Sequence, residues 1–312
     1  MEKRIPSVPL KDYCIGRGRV KLPTSFSQGP VATGIFKEEG LGNQDEAVDI
    51  VVYESGVTPS QFDREVEKRR KQLMQASTET VDVLKFEKKI NESATLFRIQ
   101  EIDDAYASEV ILLRGTSVIS LRVQSYRDKF LMAEERLIHI VSHIKGNDER
   151  NVAEGTGFCL GSVILSGNYA HEFGSFLFQD ELGTHISIDI DTYKPNEGIT
   201  LLDRMSGPDS LLSKYSVQHS VLRKGERTVA GMRAQEWLGW ADLSEGAEPK
   251  AFKFALETMR PSPGRGSPSI SLTLDTAQPL SDGSKAKTAM SDEQAIRLWD
   301  SIVESVQVVN PE

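Results

Sequence analysis

The residues best suited to metal chemistry are His139 and His143, which lie four positions apart. On a helix this spacing brings two imidazoles to one face, where they can share a metal ion. Zinc peptidases carry a glutamate directly after the first histidine, and this chain has Ile140 there. No third ligand accompanies the pair, so we interpret it as a helix-face pair and predict no metal site and no cofactor.

A candidate catalytic dyad, His171 with Glu172, lies shortly before Ser175. Adjacent residues of a strand point to opposite faces, so these two side chains cannot serve one site if the segment is a strand. We favour a loop for this segment. The sequence also has neither a Gly-x-Ser-x-Gly nucleophile elbow nor a P-loop. We therefore predict that the chain is not an enzyme.

The chain contains an internal repeat, and each of its two copies has one cysteine near its start. Residues 13–16 read Tyr-Cys-Ile-Gly and residues 158–161 read Phe-Cys-Leu-Gly, and each opening leads into a strand-like run. Further strands follow each opening, and an amphipathic helix ends each series. A repeated order of elements predicts two related domains. The fold class we predict is α+β, with modules at 10–146 and 154–309, each an antiparallel β-sheet packed with helices.

Cys14 and Cys159 leave two alternatives open. A disulfide can form in an oxidising compartment. Alternatively, each thiol is buried separately at the start of its module's first strand, because free cysteine behaves as a small apolar residue. The distance between the two Cα atoms decides between these alternatives, and the sequence does not supply it.

The charge of the chain excludes several classes of partner. The 312 residues carry a net charge of −9, of which residues 1–150 contribute −1 and the remainder −8. An acidic surface argues against nucleic acid and against adsorption to anionic lipid, and it suits a basic protein partner. No apolar run approaches the roughly 20 residues that span a bilayer, so we predict no membrane insertion.

The first module is predicted to hold two helices around a series of strands. Thr58-Pro59 is typical of a helix start, and the helix should run to about Gln75. Its predicted apolar residues are Phe62, Val66, Leu73 and Met74. Strands are predicted at 19–22, 31–36, 48–53, 80–88, 93–102, 106–114 and 117–126. The closing helix, 129–144, should direct Phe130, Leu131, Leu137, Ile140, Val141 and Ile144 to the sheet.

The second module repeats this plan. Its predicted strands lie near 158–165, 173–179, 184–191, 217–223, 227–240, 250–258 and 268–275, and a helical stretch lies at about 199–213. The last helix, 292–306, follows a capping signal at Ser291 and should bury Ile296, Leu298, Trp299, Ile302, Val303 and Val306. Trp237 and Trp240 should lie on opposite faces of one strand, with core packing favoured for both.

Several segments together resemble one known family. The first is Cys14-Ile-Gly-Arg-Gly-Arg-Val-Lys-Leu-Pro23. The second module adds Gly157-Phe-Cys-Leu-Gly161, Leu201-Leu-Asp-Arg204, Gly231-Met-Arg-Ala-Gln-Glu-Trp-Leu238, Phe252-Lys-Phe-Ala-Leu-Glu257, Pro268-Ser-Ile-Ser-Leu-Thr-Leu274 and Leu298-Trp-Asp-Ser-Ile302. Their order and spacing over nearly the whole chain resemble the immunity proteins cognate to type VI secretion lipase effectors of the fourth class.

The resemblance implies a two-domain inhibitor that binds a cognate phospholipase in the periplasm as a heterodimer and occludes its active site or lid. Members of the family carry a secretion signal, and we expect that this chain has had one removed. Two alternatives stay open: a hydrolase or transferase with an unrecognised site, and a general interaction module of a secretion apparatus.

The resemblance assigns no contact residues, so the candidates come from loops, where binding residues concentrate. One candidate segment contains Tyr169 and His171. The others are the loops Tyr193–Glu197 and Arg260–Ser267. The predicted partner-binding residues are Tyr169, His171, Tyr193, Lys194, Asn196, Glu197, Arg260 and Arg265.

Overall fold

The structure is a computed structural model, and it describes residues 9–35, 47–75, 82–146, 157–195, 198–206, 219–241, 250–276 and 290–309. Its strands in chain order are β1 (Leu10–Ile15), β2 (Gly18–Pro23), β3 (Ser27–Ile35), β4 (Val48–Glu54), β5 (Val83–Asn91), β6 (Ala94–Ile102), β7 (Ala105–Arg114), β8 (Ser117–Tyr126), β9 (Ile144–Gly146), β10 (Gly157–Cys159), β11 (Val163–Ser166), β12 (Glu172–Gln179), β13 (His185–Asp191), β14 (His219–Val229), β15 (Met232–Ala241), β16 (Ala251–Thr258), β17 (Ser269–Asp275) and β18 (Gln307–Val308).

The α-helices are α1 (Pro59–Gln75), α2 (Phe130–His143), α3 (Leu201–Ser206) and α4 (Asp292–Ser305). Within the described residues, no helix combines the length and the apolar composition needed to cross a bilayer.

The chain forms two compact units. Residues Pro30–Gly174 form one, which we call the continuous unit. Residues up to Gly29 together with those from Ser175 onward form the other, the discontinuous unit. Mixed helices and mostly antiparallel strands agree with the predicted fold class.

In each unit, six of the strands lie in the same spatial order. In the continuous unit the order is β3-β4-β8-β7-β6-β5, and in the discontinuous unit it is β12-β13-β17-β16-β15-β14. If the six strands of each unit are numbered by their order in the chain, their spatial order is therefore first, second, sixth, fifth, fourth, third. A helix follows the second strand in each unit, and another helix follows the sixth. The two units thus share a strand order, while the duplication into related domains and the boundaries 10–146 and 154–309 stay predictions.

Each cysteine lies in a short hairpin beside a strand that follows a closing helix. Cys14 is opposite Arg19 in the pair β1–β2, and β18 pairs with β2 after α4. Cys159 is opposite Ile164 in the pair β10–β11, and β9 pairs with β11 after α2. The N-terminal hairpin therefore completes the three-stranded sheet of the discontinuous unit, whose last strand is at the C-terminal end of the chain.

Helix α1 covers one face of the continuous unit's sheet. It begins at Pro59 as predicted, and the Phe62 amide donates to the Thr58 carbonyl over 2.9 Å. Phe62, Val66 and Leu73 are buried against a cluster that includes Phe97, Ile99, Ala107, Ile111 and Leu113. The predicted burial of Met74 is wrong, because 69% of that residue is exposed. The adjacent position Leu73 is turned by about 100° around the helix and takes the core-facing place.

Helix α2 packs on the opposite face, mainly on β7 and β8. Its residues Leu137, Ile140 and Val141 are buried as predicted, and so is Ile144 directly after the helix. Leu131 differs from the prediction, since 57% of it is exposed. Leu131 belongs to the apolar pattern of α2, but in the first turn of the helix its side chain is not part of the core.

Two predicted strand boundaries in the second module are wrong. The strands predicted at 217–223 and 227–240 are β14 and β15, and the turn between them lies at Ala230-Gly231. Both turn residues have positive φ angles, 47° and 76°, which a two-residue hairpin with right-handed strand twist requires. The strand predicted at 158–165 is divided into β10 and β11.

Helix α3 lies in the first part of the helical stretch predicted at 199–213. Residues 207–213 of that stretch lie outside the described residues.

Helix α4 begins with the capping box that the sequence predicts at Ser291. The Ser291 side chain accepts from the Gln294 amide, and the Gln294 side chain accepts from the Ser291 amide. Trp299, Ile302, Val303 and Val306 are buried, whereas Ile296 and Leu298 are only half-buried.

An ionic network joins α4 to the hairpin β14–β15. Glu236 is buried and accepts hydrogen bonds from the Trp299 indole over 3.1 Å and from Arg227 over 2.9 Å. Arg223 forms an ion pair with Glu236 over 2.7 Å and also pairs with Asp300. Hydrogen bonds from Arg223, and then from Arg227, hold the pKa of the Asp300 carboxyl below its ordinary value. The positive charges of Arg223 and Arg227 are thus balanced by the carboxylates of Glu236 and Asp300.

Both cysteines are buried, and both are disulfide-bonded, so neither is a free thiol. The alternative of two separately buried thiols is therefore wrong for this structure.

We expect neither Cys14 nor Cys159 in the native protein to react with a maleimide, because only the free thiolate is nucleophilic. Both should react after reduction in denaturant. Mass spectrometry gives the readout, and rapid labelling of native, unreduced protein would contradict the assignment.

Candidate functional site

The loops at one end of the discontinuous unit's sheet form a candidate binding surface. Strands β13 and β17 are antiparallel, with Asp191 opposite Ser269. The loop that leaves β13 and the loop that enters β17 therefore lie side by side. The Ser269 hydroxyl donates to the Lys194 carbonyl over 3.0 Å, which joins them directly. We call residues 191–195, 198–200 and 259–268 the loop surface.

The turn after β13 is held by one carboxylate. Asp191 Oδ1 accepts from the Tyr193 amide over 2.8 Å and from the Lys194 amide over 2.7 Å. An aspartate that bonds the backbone two residues later is a common turn device. It fixes the backbone here while 67% of Tyr193 stays exposed. An exposed aromatic side chain on an ordered backbone is a suitable anchor for a protein partner.

The loop before β17 is also ordered by its own hydrogen bonds. Gly264 and Ser267 exchange amide–carbonyl bonds of 3.1 and 3.0 Å, so that Arg265 lies in the tight turn between them. The Arg260 guanidinium donates to the Ser267 hydroxyl. The Met259 amide donates to the Arg233 carbonyl over 2.8 Å, which holds the base of the loop. Arg260 and Arg265 are both partly exposed.

Ile199 is a further exposed residue of the loop surface that the sequence analysis missed. Thr200 caps α3, since its hydroxyl accepts from the Asp203 amide over 3.3 Å. Ile199 therefore occupies the position before the cap, where an apolar residue often packs on the fourth helical residue. That residue is Arg204, whose guanidinium donates to the Ile199 carbonyl over 2.9 Å. The Ile199 side chain lacks the usual apolar partner there and is exposed.

The other predicted contact residues do not lie on the loop surface. Tyr169 and His171 belong to the continuous unit, and both are buried. The Tyr169 hydroxyl donates to the Ser166 carbonyl over 3.2 Å, so its polar group is satisfied inside the unit. Asn196 and Glu197 lie outside the described residues. The assignment of these residues to an interface stays a prediction.

The structure also shows where the candidate metal ligands and the candidate catalytic dyad lie. The His139 and His143 rings are 4.4 Å apart on α2, and His143 Nδ1 is 3.0 Å from the His139 carbonyl oxygen. Among the residues that the structure describes, no group of three or more His, Cys, Asp or Glu side chains could hold a metal ion. Glu172 is the first residue of β12, and His171 directly precedes that strand.

The two tryptophans of β15 lie on opposite faces, as their spacing predicts. Trp237 is buried, and Trp240 is half-buried beneath Lys250, whose Nζ is 4.5 Å from the ring centroid. Core packing of both residues was favoured from the sequence, and it holds for Trp237 only.

The sequence of the second half matches a known family. The family model described as "Tle cognate immunity protein 4 C-terminal domain" matches residues 151–309. A search among curated proteins found no match.

Solved structures share the fold of nearly the whole chain. The crystal structure of the Tle4–Tli4 complex contains a chain with 16% identity and a TM-score of 0.70, and the similarity covers 99% of this chain and 100% of that one. The immunity protein TplEi of the type VI secretion system from Pseudomonas aeruginosa, complexed with the "L" peptide, has 16% identity and a TM-score of 0.66 over 96% of this chain and 98% of its own. Its apo structure gives the same identity and TM-score over 97% and 98%.

Proposed function

Because the chain belongs to the Tle cognate immunity protein 4 family, we propose that it binds and inhibits the phospholipase effector of a type VI secretion system that is its cognate partner. The family match over residues 151–309 is the observation that carries this proposal. The fold similarity to the chain in the Tle4–Tli4 complex supports it over the remainder of the sequence.

Inhibition proceeds by binding and without turnover. The chain forms a heterodimer with the effector and occludes the active site or holds the lid closed. A specific and stable interface buries at least about 1,000 Å². Lipases of this kind must open a lid at the lipid surface, so a contact that prevents opening is sufficient. The ordered backbone of the loop surface suits such a contact, because little conformational freedom is lost on binding.

The loop surface is our proposed contribution of the discontinuous unit to this interface. Tyr193 and Ile199 supply exposed apolar area, and Lys194, Arg260 and Arg265 supply positive charge around it. The chain as a whole is acidic, with a net charge of −9, so this local positive charge would meet an acidic part of the effector and not the basic partner that the overall charge favours. Charge complementarity affects the association rate most, so we expect slower binding in high salt.

The periplasm is the compartment in which we propose that the chain acts. The disulfide-bonded state of both cysteines supports this location, because structural disulfides persist in oxidising spaces such as the bacterial periplasm.

Co-expression with the cognate phospholipase effector tests the proposed function. We expect the effector, directed to the periplasm, to kill cells when expressed alone and to be tolerated when this chain is exported with it. Purified chain should form a complex with the effector on a sizing column, abolish its phospholipase activity at about equal molar ratio, and hydrolyse no phospholipid itself.

The same chain without an export signal is the matched control, and it should give no protection because it cannot meet the effector. Equal killing with and without the exported chain, together with no complex on the column, would refute the immunity function.

A further inference from the structure

One pair of opposite residues, at the end of the ladder between β13 and β17, holds the backbone that follows β13. Asp191 is the last residue of β13 and lies opposite Ser269, the first residue of β17. Asp191 Oδ1 accepts hydrogen bonds from the amides of Tyr193 and Lys194. The Ser269 hydroxyl donates to the Lys194 carbonyl. Both backbone polar groups of Lys194 are therefore bonded to side chains of this one pair.

The segment after β13 depends on these side chains more than an ordinary hairpin turn does. Among the elements that the structure describes, α3 follows β13, so the segment does not lead back into a neighbouring strand. The ladder between β13 and β17 therefore restrains only one end of it. The side-chain bonds of Asp191 and Ser269 supply the restraint on the residues that come next.

The turn at the other end of β13 gives a direct comparison. There Asp180 Oδ1 accepts from the Leu182 amide over 2.9 Å and from the Thr184 amide over 2.8 Å, so the same device occurs twice in this unit. That turn joins β12 to β13, which are neighbours in the sheet, and the Asp180 amide also donates to the Thr184 carbonyl. Its backbone is thus restrained by strands on both sides. Loss of the carboxylate should release it less than the segment at Tyr193.

The segment that Asp191 and Ser269 hold carries exposed side chains. Tyr193 and Lys194 are exposed, whereas Ser269 is buried and Asp191 is half-buried. A partner can therefore contact Tyr193 without contacting Ser269. A loop that is ordered before binding loses less conformational freedom on association than a mobile one. Residues that order the loop can thus contribute to affinity without contacting the partner.

We propose that Asp191 and Ser269 are positioning residues for effector binding, which hold Tyr193 and Lys194 in the conformation that the effector recognises. The inference rests on the proposed function, and it assigns part of the affinity of the loop surface to residues beside the contact. If only a fraction of the molecules has the competent backbone, the apparent affinity falls by that fraction. This loss appears in the association rate, whereas loss of a contact residue mainly speeds dissociation.

Binding kinetics of the full chain on immobilised effector test the assignment. We expect Asp191→Ala to slow association about 10-fold and to change dissociation by less than about 2-fold, because the competent fraction falls. Ser269→Ala removes one bond of the three and should slow association about 3-fold. Tyr193→Ala removes the proposed contact itself and should speed dissociation about 10-fold or more.

Two further variants distinguish positioning from direct contact. Asp191→Asn keeps Oδ1 as an acceptor for both amides and should associate within about 2-fold of the original chain. In the Tyr193→Ala background, Asp191→Ala should slow association by less than about 3-fold, because the two residues act through one loop and their effects are not additive.

Asp180→Ala is the matched control, since it removes an equivalent pair of backbone bonds from the same unit. It should leave both rate constants unchanged. Asp180→Ala and Asp191→Ala should each shift the melting temperature by no more than about 4 °C, so both chains are folded in the binding assay.

The outcomes separate this inference from the proposed function. If the original chain binds the effector and Asp191→Ala associates as fast, the positioning role is overturned and the inhibitor function stands. If Asp191→Asn binds as poorly as Asp191→Ala, the charge of Asp191 acts on the effector directly, which also overturns it. An equal loss in Asp180→Ala would show a general effect on the fold and would overturn it as well. If the original chain binds no effector, the proposed function itself fails.

Discussion

Replacing Trp299 by alanine is expected to lower the free energy of unfolding by about 4 kcal/mol, within the range for removal of a buried large aromatic side chain. Trp299 is fully buried, and its ring packs edge-on against Phe254 with centroids 5.7 Å apart. Its indole N–H also donates to buried Glu236. The substitution therefore leaves a cavity beneath α4 and removes one hydrogen bond from a carboxylate that water reaches poorly.

Urea unfolding followed by circular dichroism measures this loss. Trp299→Phe keeps most of the ring and removes the indole N–H, so it should cost less, about 1–2 kcal/mol. Ser301→Ala, an exposed position two residues along the same helix, should change stability by no more than about 0.5 kcal/mol. A loss below 1 kcal/mol for Trp299→Ala, by the same scale, would mean that α4 is not packed as described.

Replacing Glu236 by alanine is expected to cost about 3 kcal/mol, because removing one partner of a buried charge group leaves the others uncompensated. Arg223 and Arg227 both pair with Glu236, and Asp300 alone would remain to balance them. The partial exposure of the two arginines keeps the loss at the lower end of the range for buried pairs.

Glu226→Ala is the matched control on the same hairpin. Glu226 pairs with Arg233 over 3.0 Å, but both side chains are more than half exposed. Such surface pairs contribute about 0–1 kcal/mol. Equal losses for Glu236→Ala and Glu226→Ala in urea unfolding would contradict the central role of the buried carboxylate. Since Glu236 and Trp299 share a hydrogen bond, the double variant should lose less than the sum of the two single losses.

Local signals in the sequence predicted much of the fold. The Thr58-Pro59 start of α1 and the Ser291 cap of α4 depend on residues within one helical turn, so they can be recognised without tertiary information. Burial was less certain at helix ends. Met74 and Leu131 are apolar and lie next to core-facing positions of their helices, yet neither is buried. Leu73 beside Met74 is buried, so the direction of a side chain around the helix decides its burial there. Apolar composition near a helix end does not specify which of two neighbouring residues faces the core.

Pairing between distant segments could not be predicted in the same way. The hairpin β1–β2 pairs with β18 near the other end of the chain, and no local pattern at Gly18 or Arg19 indicates Val308 or Gln307. The candidate site shows the same limit. Tyr193 and Lys194 were chosen as loop residues, but their proximity to the 259–268 loop follows from the register of β13 with β17. Tyr169 was chosen as part of an expected loop, and its hydroxyl is satisfied inside the unit.

The division of the chain into units has a consequence for the order in which the chain folds. Residues 30–174 of the continuous unit follow one another, so this unit can fold before the rest of the chain is available. The hairpin β1–β2 emerges first but is completed last, when Gln307 and Val308 reach Arg19 and Gly18. Until then the hairpin has an unpaired strand edge, which can pair with the wrong strand. The delay between the appearance of the two ends of the chain, as well as the stability of the finished fold, should therefore affect how much correctly assembled protein a cell obtains.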